Sequence, residues 1–218
     1  MTRSAGARGL PGGDGGAPSA EDAAPPRLVL ASGSPRRAEI LRRLGLTFEV
    51  RPTGVDETLL PGESARSAAE RLAGLKAAAA IRPGALALAC DTVVSLDEAV
   101  LEKPGSRAQS ITMLGRLSGR EHLVYTGIAL ATPGRTETAV EATRVRFRDL
   151  DERERREYTA TGEPFDKAGG YGIQGLGAAL VEGIEGDFFN VMGLPVQRLL
   201  ELLKRFGWRY AFGSLQPR

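Results

Sequence analysis

Apolar and polar positions follow two rhythms along this chain, and the switches between them predict an ordered series of strands and helices. Leu28 to Ala31 is a short apolar run, read as a strand, and a helix opens near Pro35. Gly45 ends that helix, after which Leu46, Phe48 and Val50 alternate as in a half-buried strand. From Ser64 to Ile81 the spacing is helical, with Ala68, Leu72, Leu75 and Ala79 as the buried stripe. The run ALALAC, Ala85 to Cys90, is a second buried strand that delivers Asp91 and Thr92 at its carboxyl end. Val93 to Leu96, a turn through Asp97 and Glu98, and a return to Leu101 predict a hairpin. Ser106 caps a helix running to Leu117, with Ile111, Leu114 and Leu117 inward. A strand opens at His122, and in another Thr143, Val145 and Phe147 alternate with Arg144, Arg146 and Arg148. A short charged helix ends at Gly162, AALVEGI reads as a strand, and a last helix, Leu194 to Phe206, buries Val196, Leu199, Leu200 and Leu203. Strands alternating with helices, with hairpins in the middle, predict an α/β domain with a mixed sheet.

The turn between the first strand and helix, SGSPRR, is chemically unusual. Ser34 is placed to cap the helix with its side-chain oxygen, and Pro35 suits the first helical position because its missing N–H has no partner there. Arg36 and Arg37 add two positive charges where the helix dipole is already positive, a cost of about 0.3 kcal/mol or more. An anion offsets that cost. Loop N–H groups, a helix N-terminus and paired guanidinium groups together make a phosphate or polyphosphate site.

Composition narrows the setting. The 218 residues suit one well-buried domain, and a net charge of +2 leaves no chain-wide field for nucleic acid or a membrane surface. No apolar stretch approaches the ~18 residues of a membrane span, and the single cysteine, Cys90, excludes an intrachain disulfide. A cytoplasmic protein is expected. Residues 1–26, rich in Gly, Ala and Pro, read as a disordered tail, with a cleaved targeting segment as the alternative; 27–207 is the folded domain and 208–218 an uninformative C-terminal tail.

Asp91 is the strongest catalytic candidate, because an aspartate between apolar LAC and VVS is expensive to bury unless it meets cations. Asp56 and Glu57 lie on a loop and have solvation as their plain explanation; Lys76 borders the helical stripe and either reaches over it or snorkels. Lys103 stands near the hairpin exit. Cys90 reads as a small buried hydrophobe rather than a nucleophile, and His122, without a companion at metal-ligand spacing, as structural. The arginines at 144, 146 and 148 read as a solvated face. Gly170, Gly172 and Gly175 match a dinucleotide-binding pattern but lack its strand-to-helix context; the glycines still let a ligand approach the backbone, and Gln174 among them offers both a donor and an acceptor. Asp166 and Lys167 sit just upstream.

In order, SGSPRRAEIL, VDE, a helical lysine, ACDTVV, EKP, YGIQG and NVMGLP resemble the Maf family of nucleoside triphosphate pyrophosphatases, from about Leu28 to Phe206. The resemblance implies an elongated mixed sheet flanked by helices with a central cleft, the inosine triphosphate pyrophosphatase-like (Maf/Ham1) architecture, and a homodimer. It implies a catalytic group of Asp91, as proton acceptor, with Glu57, Lys76 and Lys103, and a magnesium or manganese ion on Glu57 and Asp91. Ser32 and Arg37 are then expected at the triphosphate. Arg36, Thr92 and Gln174 place the chain with members acting on dTTP and UTP, and a glutamine amide pairs with both N3–H and O4 of uracil or thymine. The family is also associated with arrest of cell division and septum formation. A nucleotide-binding regulator, and a pyrophosphatase with broader or modified substrates, are therefore the rival readings.

Overall fold

A computed structural model describes Met1 and residues 26–218. The expected disordered tail therefore lies, apart from its two end residues, outside the described residues. Among these, seven strands form one mixed sheet: β1 (Arg27–Leu30), β2 (Phe48–Val50), β3 (Ala85–Leu96), β4 (Ala99–Leu101), β5 (Glu121–Thr132), β6 (Arg135–Phe147) and β7 (Val181–Glu185). Their order is β2-β1-β3-β5-β6-β7, with β4 also paired to β3. The β2, β1 and β3 pairings are parallel; β5, β6, β7 and β4 run antiparallel to their neighbours.

The helices α1 (Pro35–Arg43), α2 (Ala65–Ala79), α3 (Arg107–Leu117), α4 (Glu152–Ala160), α5 (Phe188–Met192) and α6 (Val196–Arg205) divide between the two sheet faces. Strand side chains alternate. Ala87 and Ala89 of β3, with Ala129 and Ala131 of β5, pack on Ala73, Ala77 and Ala80 of α2 and its C-cap. Leu86, Leu88 and Cys90 point the other way, into a larger core with Ile40 and Leu41 of α1, Leu114 and Leu117 of α3, and Leu199, Leu202 and Leu203 of α6. Small side chains on the α2 face bring that helix close. A Cβ at Gly127 of β5 would stand 2.0 Å from the Ala69 carbonyl oxygen, so only glycine permits the approach.

Several expectations change. Ser34 is the N-cap of α1 but its side chain makes no capping bond; instead its N–H donates to Ser32 Oγ at 3.2 Å. On α2 the buried face is Ala65, Ala68, Ala69, Leu72, Ala73, Lys76 and Ala77, whereas Leu75 and Ala79 are exposed, because the stripe follows the sheet's alanines rather than the largest apolar residues. On α6 Leu202 is buried in place of Val196 and Leu200, which are only partly so. The strand read from AALVEGI begins only at Val181, after a 3-10 turn over Leu176–Leu180. Asp91 is not at the end of a strand, since β3 runs unbroken through it. The residues read as a tail form a hairpin, β8 (Trp208–Tyr210) with β9 (Leu215–Pro217), joined to α1 by a hydrogen bond from Tyr210 Oη to the Leu44 carbonyl at 2.8 Å.

Candidate active site

One edge of β3 has a gap. β1 pairs with it as far as Leu30 opposite Leu88, and β4 resumes at Leu101 opposite Val94, so the residues between have no strand across that edge. Asp91 and Thr92 lie in this notch, just past the carboxyl end of β1. A cavity of about 670 Å³ opens there, lined by Ser32, Arg36, Arg37, Glu57, Lys76, Asp91, Thr92, Lys103 and Gln174. The structure thus brings all nine sequence-predicted site residues to one cavity, and they fall into three groups.

On the α2 face, Lys76 and Asp91 are each 7% exposed, and Lys76 Nζ donates to Asp91 Oδ1 at 2.5 Å. Lys76 Nζ also lies 2.9 Å from Glu57 Oε1, which is half exposed on its loop. The snorkelling alternative for Lys76 is therefore excluded: its ammonium is turned inward onto two carboxylates. Asp91 Oδ2 has no hydrogen-bond partner among the described residues. Gly127, directly opposite Asp91 in β5, is where α2 makes its closest approach.

Thr92, one residue on, faces the other side of the sheet. Arg37 Nη2 donates to Thr92 Oγ1 at 3.1 Å, Nη1 to Ser32 Oγ at 2.9 Å, and Nε to the Gly193 carbonyl at 2.8 Å. Three fixed acceptors hold this guanidinium and leave two of its five N–H groups for a ligand. Gly193 has φ +102°, and a Cβ there would stand 3.1 Å from Thr92 Oγ1.

The third group joins α1 to the glycine-rich loop. Arg36 Nη1 donates to Asp166 Oδ2 at 3.0 Å, and Lys167 Nζ donates to Asp166 Oδ1 and to the Glu163 carbonyl, both at 2.6 Å. Burial would raise the Asp166 carboxyl, but hydrogen bonds from Lys167 and Arg36 outweigh it and hold the group below its ordinary range. Gln174 and Lys103 line the cavity with no hydrogen-bond or ion-pair partner among the described residues. The loop's glycines have a different reason from the expected one. A Cβ at Gly175 would meet both Glu163 carboxylate oxygens at 2.7 Å, and one at Gly172 would meet Lys167 Cε at 2.7 Å. They make room for the protein's own side chains, with Glu163 accepting from the N–H groups of Leu176 and Gly177 at 2.9 and 3.1 Å.

Sequence reasoning noted Asp166 and Lys167 without a role, included Asn190 only as the first residue of NVMGLP, and missed Glu163 and Thr126. Charge next to a glycine loop was the available signal for Glu163, while Thr126 contributes through buried hydrogen bonds that leave no pattern. His122 is 2% exposed with Nε2 2.8 Å from Tyr171 Oη, and burial pushes its pKa down to about 4. Burial pushes the Cys90 thiol up to about 11, so it is neither thiolate nor nucleophile at neutral pH. Arg144 and Arg146 are exposed and paired with Glu121, Glu185 and Glu182.

The donor set can be tested against a divalent cation. Among the described residues no three carboxylate, imidazole or thiolate groups converge as a cage. Two carboxylates meeting at one ammonium do fit magnesium, which takes one or two protein carboxylates and completes its shell with water and substrate phosphates. No helix among the described residues is long and apolar enough to cross a membrane.

Known proteins supply an independent comparison. A dTTP/UTP pyrophosphatase of Pelotomaculum thermopropionicum is 49% identical over 185 residues, covering 83% of this chain and 97% of that one. Those of Moorella thermoacetica and Deinococcus radiodurans are 51% and 46% identical, covering 83% and 84% of this chain and 95% and 94% of theirs. Among solved structures, a HAM1 protein from Coxiella burnetii aligns with a TM-score of 0.39 at 22% identity, covering 56% of this chain and 72% of that chain. The family model for Maf-like proteins matches residues 27–206, essentially the whole sheet with its helices, and the chain belongs to the Maf family.

Proposed function

We propose that this protein is a nucleoside triphosphate pyrophosphatase that converts dTTP and UTP to the monophosphate and pyrophosphate. The observation that carries the reading is Asp91: a buried carboxylate, held through one oxygen by Lys76, with its other oxygen unpartnered among the described residues, in a cavity whose walls also carry Arg36, Arg37 and Lys103. The names of its relatives support the substrate class.

Hydrolysis between the α and β phosphates forms a bond from water oxygen to the α phosphorus and breaks the bond to the bridging oxygen. Asp91 takes the proton of the attacking water through its free oxygen. Pyrophosphate leaves with the electron pair of the broken bond, and Lys103 and the two open N–H groups of Arg37 face the charge that accumulates on the phosphoryl oxygens. Lys76 orients Asp91 through Oδ1, and Ser32 fixes Arg37. Glu57 and Asp91 are the residues that would hold a divalent cation, whose contribution is to polarise phosphoryl oxygens. In the same cavity Gln174, without a hydrogen-bond partner among the described residues, is placed to read a pyrimidine edge, and Arg36 is in the grip of Asp166.

The test is pyrophosphate release from a panel of nucleoside triphosphates with magnesium. Release from dTTP and UTP above the other nucleotides is expected, and Asp91→Asn should lower the rate by about 10²- to 10⁴-fold. An Asp91→Asn protein as fast as the parent would remove the proposed base. Nucleotide binding without any pyrophosphate would establish the regulator reading instead.

A further inference from the structure

Arg37 is held by Thr92, and Thr92 is itself held. Its Oγ1 lies 3.0 Å from Thr126 Oγ1, and Thr126 Oγ1 lies 2.9 Å from the Asn190 carbonyl. A hydroxyl has one hydrogen to donate, so the direction of each bond follows by elimination. The Asn190 carbonyl only accepts, which commits the Thr126 hydrogen to it. Thr92 is then the donor to Thr126. A guanidinium only donates, so the Thr92 oxygen accepts from Arg37 at 3.1 Å. Thr126 is fully buried, so no solvent competes for its own hydroxyl.

We infer that Thr126 is a positioning residue for Arg37: its buried hydroxyl fixes the rotor of Thr92, turning a lone pair toward the guanidinium and so aiming Arg37 into the cavity. Thr92, its hydrogen committed, has no donor to offer a phosphate or carbonyl oxygen, so its effect on a substrate runs through Arg37 or through accepting a hydrogen bond. The arrangement rests on one short segment. Asn190 of α5 supplies the terminal carbonyl, with its Nδ2 donating to the Val124 carbonyl and to Thr143 Oγ1, both at 2.9 Å, and Gly193 just beyond α5 supplies the acceptor for Arg37 Nε. The relay thus ties the NVMGLP segment to the SGSPRR turn across the middle of the sheet.

Where it concerns nucleotide, the inference rests on the proposed activity, so the first readout uses the protein alone. The Arg37 Nε–H signal, assigned by its loss in Arg37→Lys, is followed by NMR for exchange with solvent. Thr126→Val, nearly isosteric but without the hydroxyl, is expected to speed that exchange about tenfold or more, while Thr126→Ser, which restores the hydroxyl, stays within about twofold of the parent. In dTTP hydrolysis Thr126→Val should lower kcat/KM about tenfold, with most of the loss in kcat because Arg37 faces charge that develops in the transition state, and Thr126→Ser should reverse this. An unchanged Arg37 signal in a folded Thr126→Val protein overturns the proposal. If Thr126→Val does not fold, Thr126→Ala, smaller and likewise without the hydroxyl, is compared with Thr126→Ser, with loss expected only in the alanine protein; equal behaviour of the two overturns the proposal. A parent that hydrolyses no dTTP, while its Arg37 signal still responds to Thr126→Val, refutes the activity and leaves the positioning role standing.

Discussion

Replacing Lys76 by Met separates two contributions that the Lys76–Asp91 pair combines. At 2.5 Å and an effective dielectric near 20, the gross attraction between the two charges is about 7 kcal/mol, most of which offsets the desolvation of groups that are each 7% exposed. Removing the lysine leaves Asp91 buried without a cation, for which about 3–5 kcal/mol is the usual cost. The low end applies, because one Asp91 oxygen faces the cavity and water reaches it. Asp91→Asn is not the mirror image. Asparagine keeps the shape, and Lys76 retains Glu57 at 2.9 Å, so about 1 kcal/mol is expected. In a chain of this size ~1 kcal/mol moves Tm by about 2–4 °C. Thermal and urea melts of the two variants should therefore differ, with Lys76→Met falling by roughly 10 °C and Asp91→Asn by about 3 °C. Equal losses, or a Lys76→Met protein within ~1 kcal/mol of the parent, would show that Asp91 is not the electrostatic dependant described here.

Three further outcomes are expected. Burial holds the His122 pKa at about 4, below its ordinary 6.5, so unfolding takes up a proton between those values. Its stability contribution is complete above pH 6.5 and is lost as pH falls toward 4, amounting to about 3 kcal/mol, and His122→Gln should flatten that part of the stability-against-pH curve measured by urea unfolding. Gly127→Ala forces α2 away from β5; a stability loss of about 1–3 kcal/mol should accompany a fall in pyrophosphate release as Lys76 moves off Asp91, and unchanged activity would disconnect the helix approach from the chemistry. Gln174→Ala should erode the preference for dTTP over a purine nucleotide by about tenfold in kcat/KM while leaving the fold intact, since among the described residues Gln174 has no hydrogen-bond partner to lose.

The periodic elements were legible because burial on one face imposes period 3.6 or 2. Ala85–Cys90, the alternation at Thr143, Val145 and Phe147, and the Ser106 cap all carry such a signature. Asp91 was legible for the opposite reason, as a charge where the pattern demanded an apolar residue. The errors share one cause. Leu75 lies exposed and Lys76 buried because helix orientation is set by the alanine surface of β3 and β5 and by Asp91, which are distant in sequence. The glycines at 172 and 175 gave the right location for the wrong reason, since the side chains they accommodate, Lys167 and Glu163, come from the C-cap and first residue of a preceding 3-10 turn. The tie from Arg37 through Thr92 and Thr126 to Asn190 joins four separate segments by hydrogen bonds alone, and no one-dimensional pattern encodes it.

Asp91 and Thr92 are neighbours on a strand, so they serve opposite faces of the sheet, and this makes strand register a functional variable. A slip of β3 by one residue against its neighbours would turn the carboxylate toward Arg37 and the hydroxyl toward Lys76, leaving the buried ammonium without Asp91 and the guanidinium fork occupied by a carboxylate in place of a ligand. The ladder from Ala87 opposite Ala131 to Ser95 opposite Leu123 resists that slip, with Gly127 opposite Asp91 where the α2 backbone fills the space a Cβ would need. An error in strand pairing would therefore yield a well-hydrogen-bonded sheet with an inert cleft.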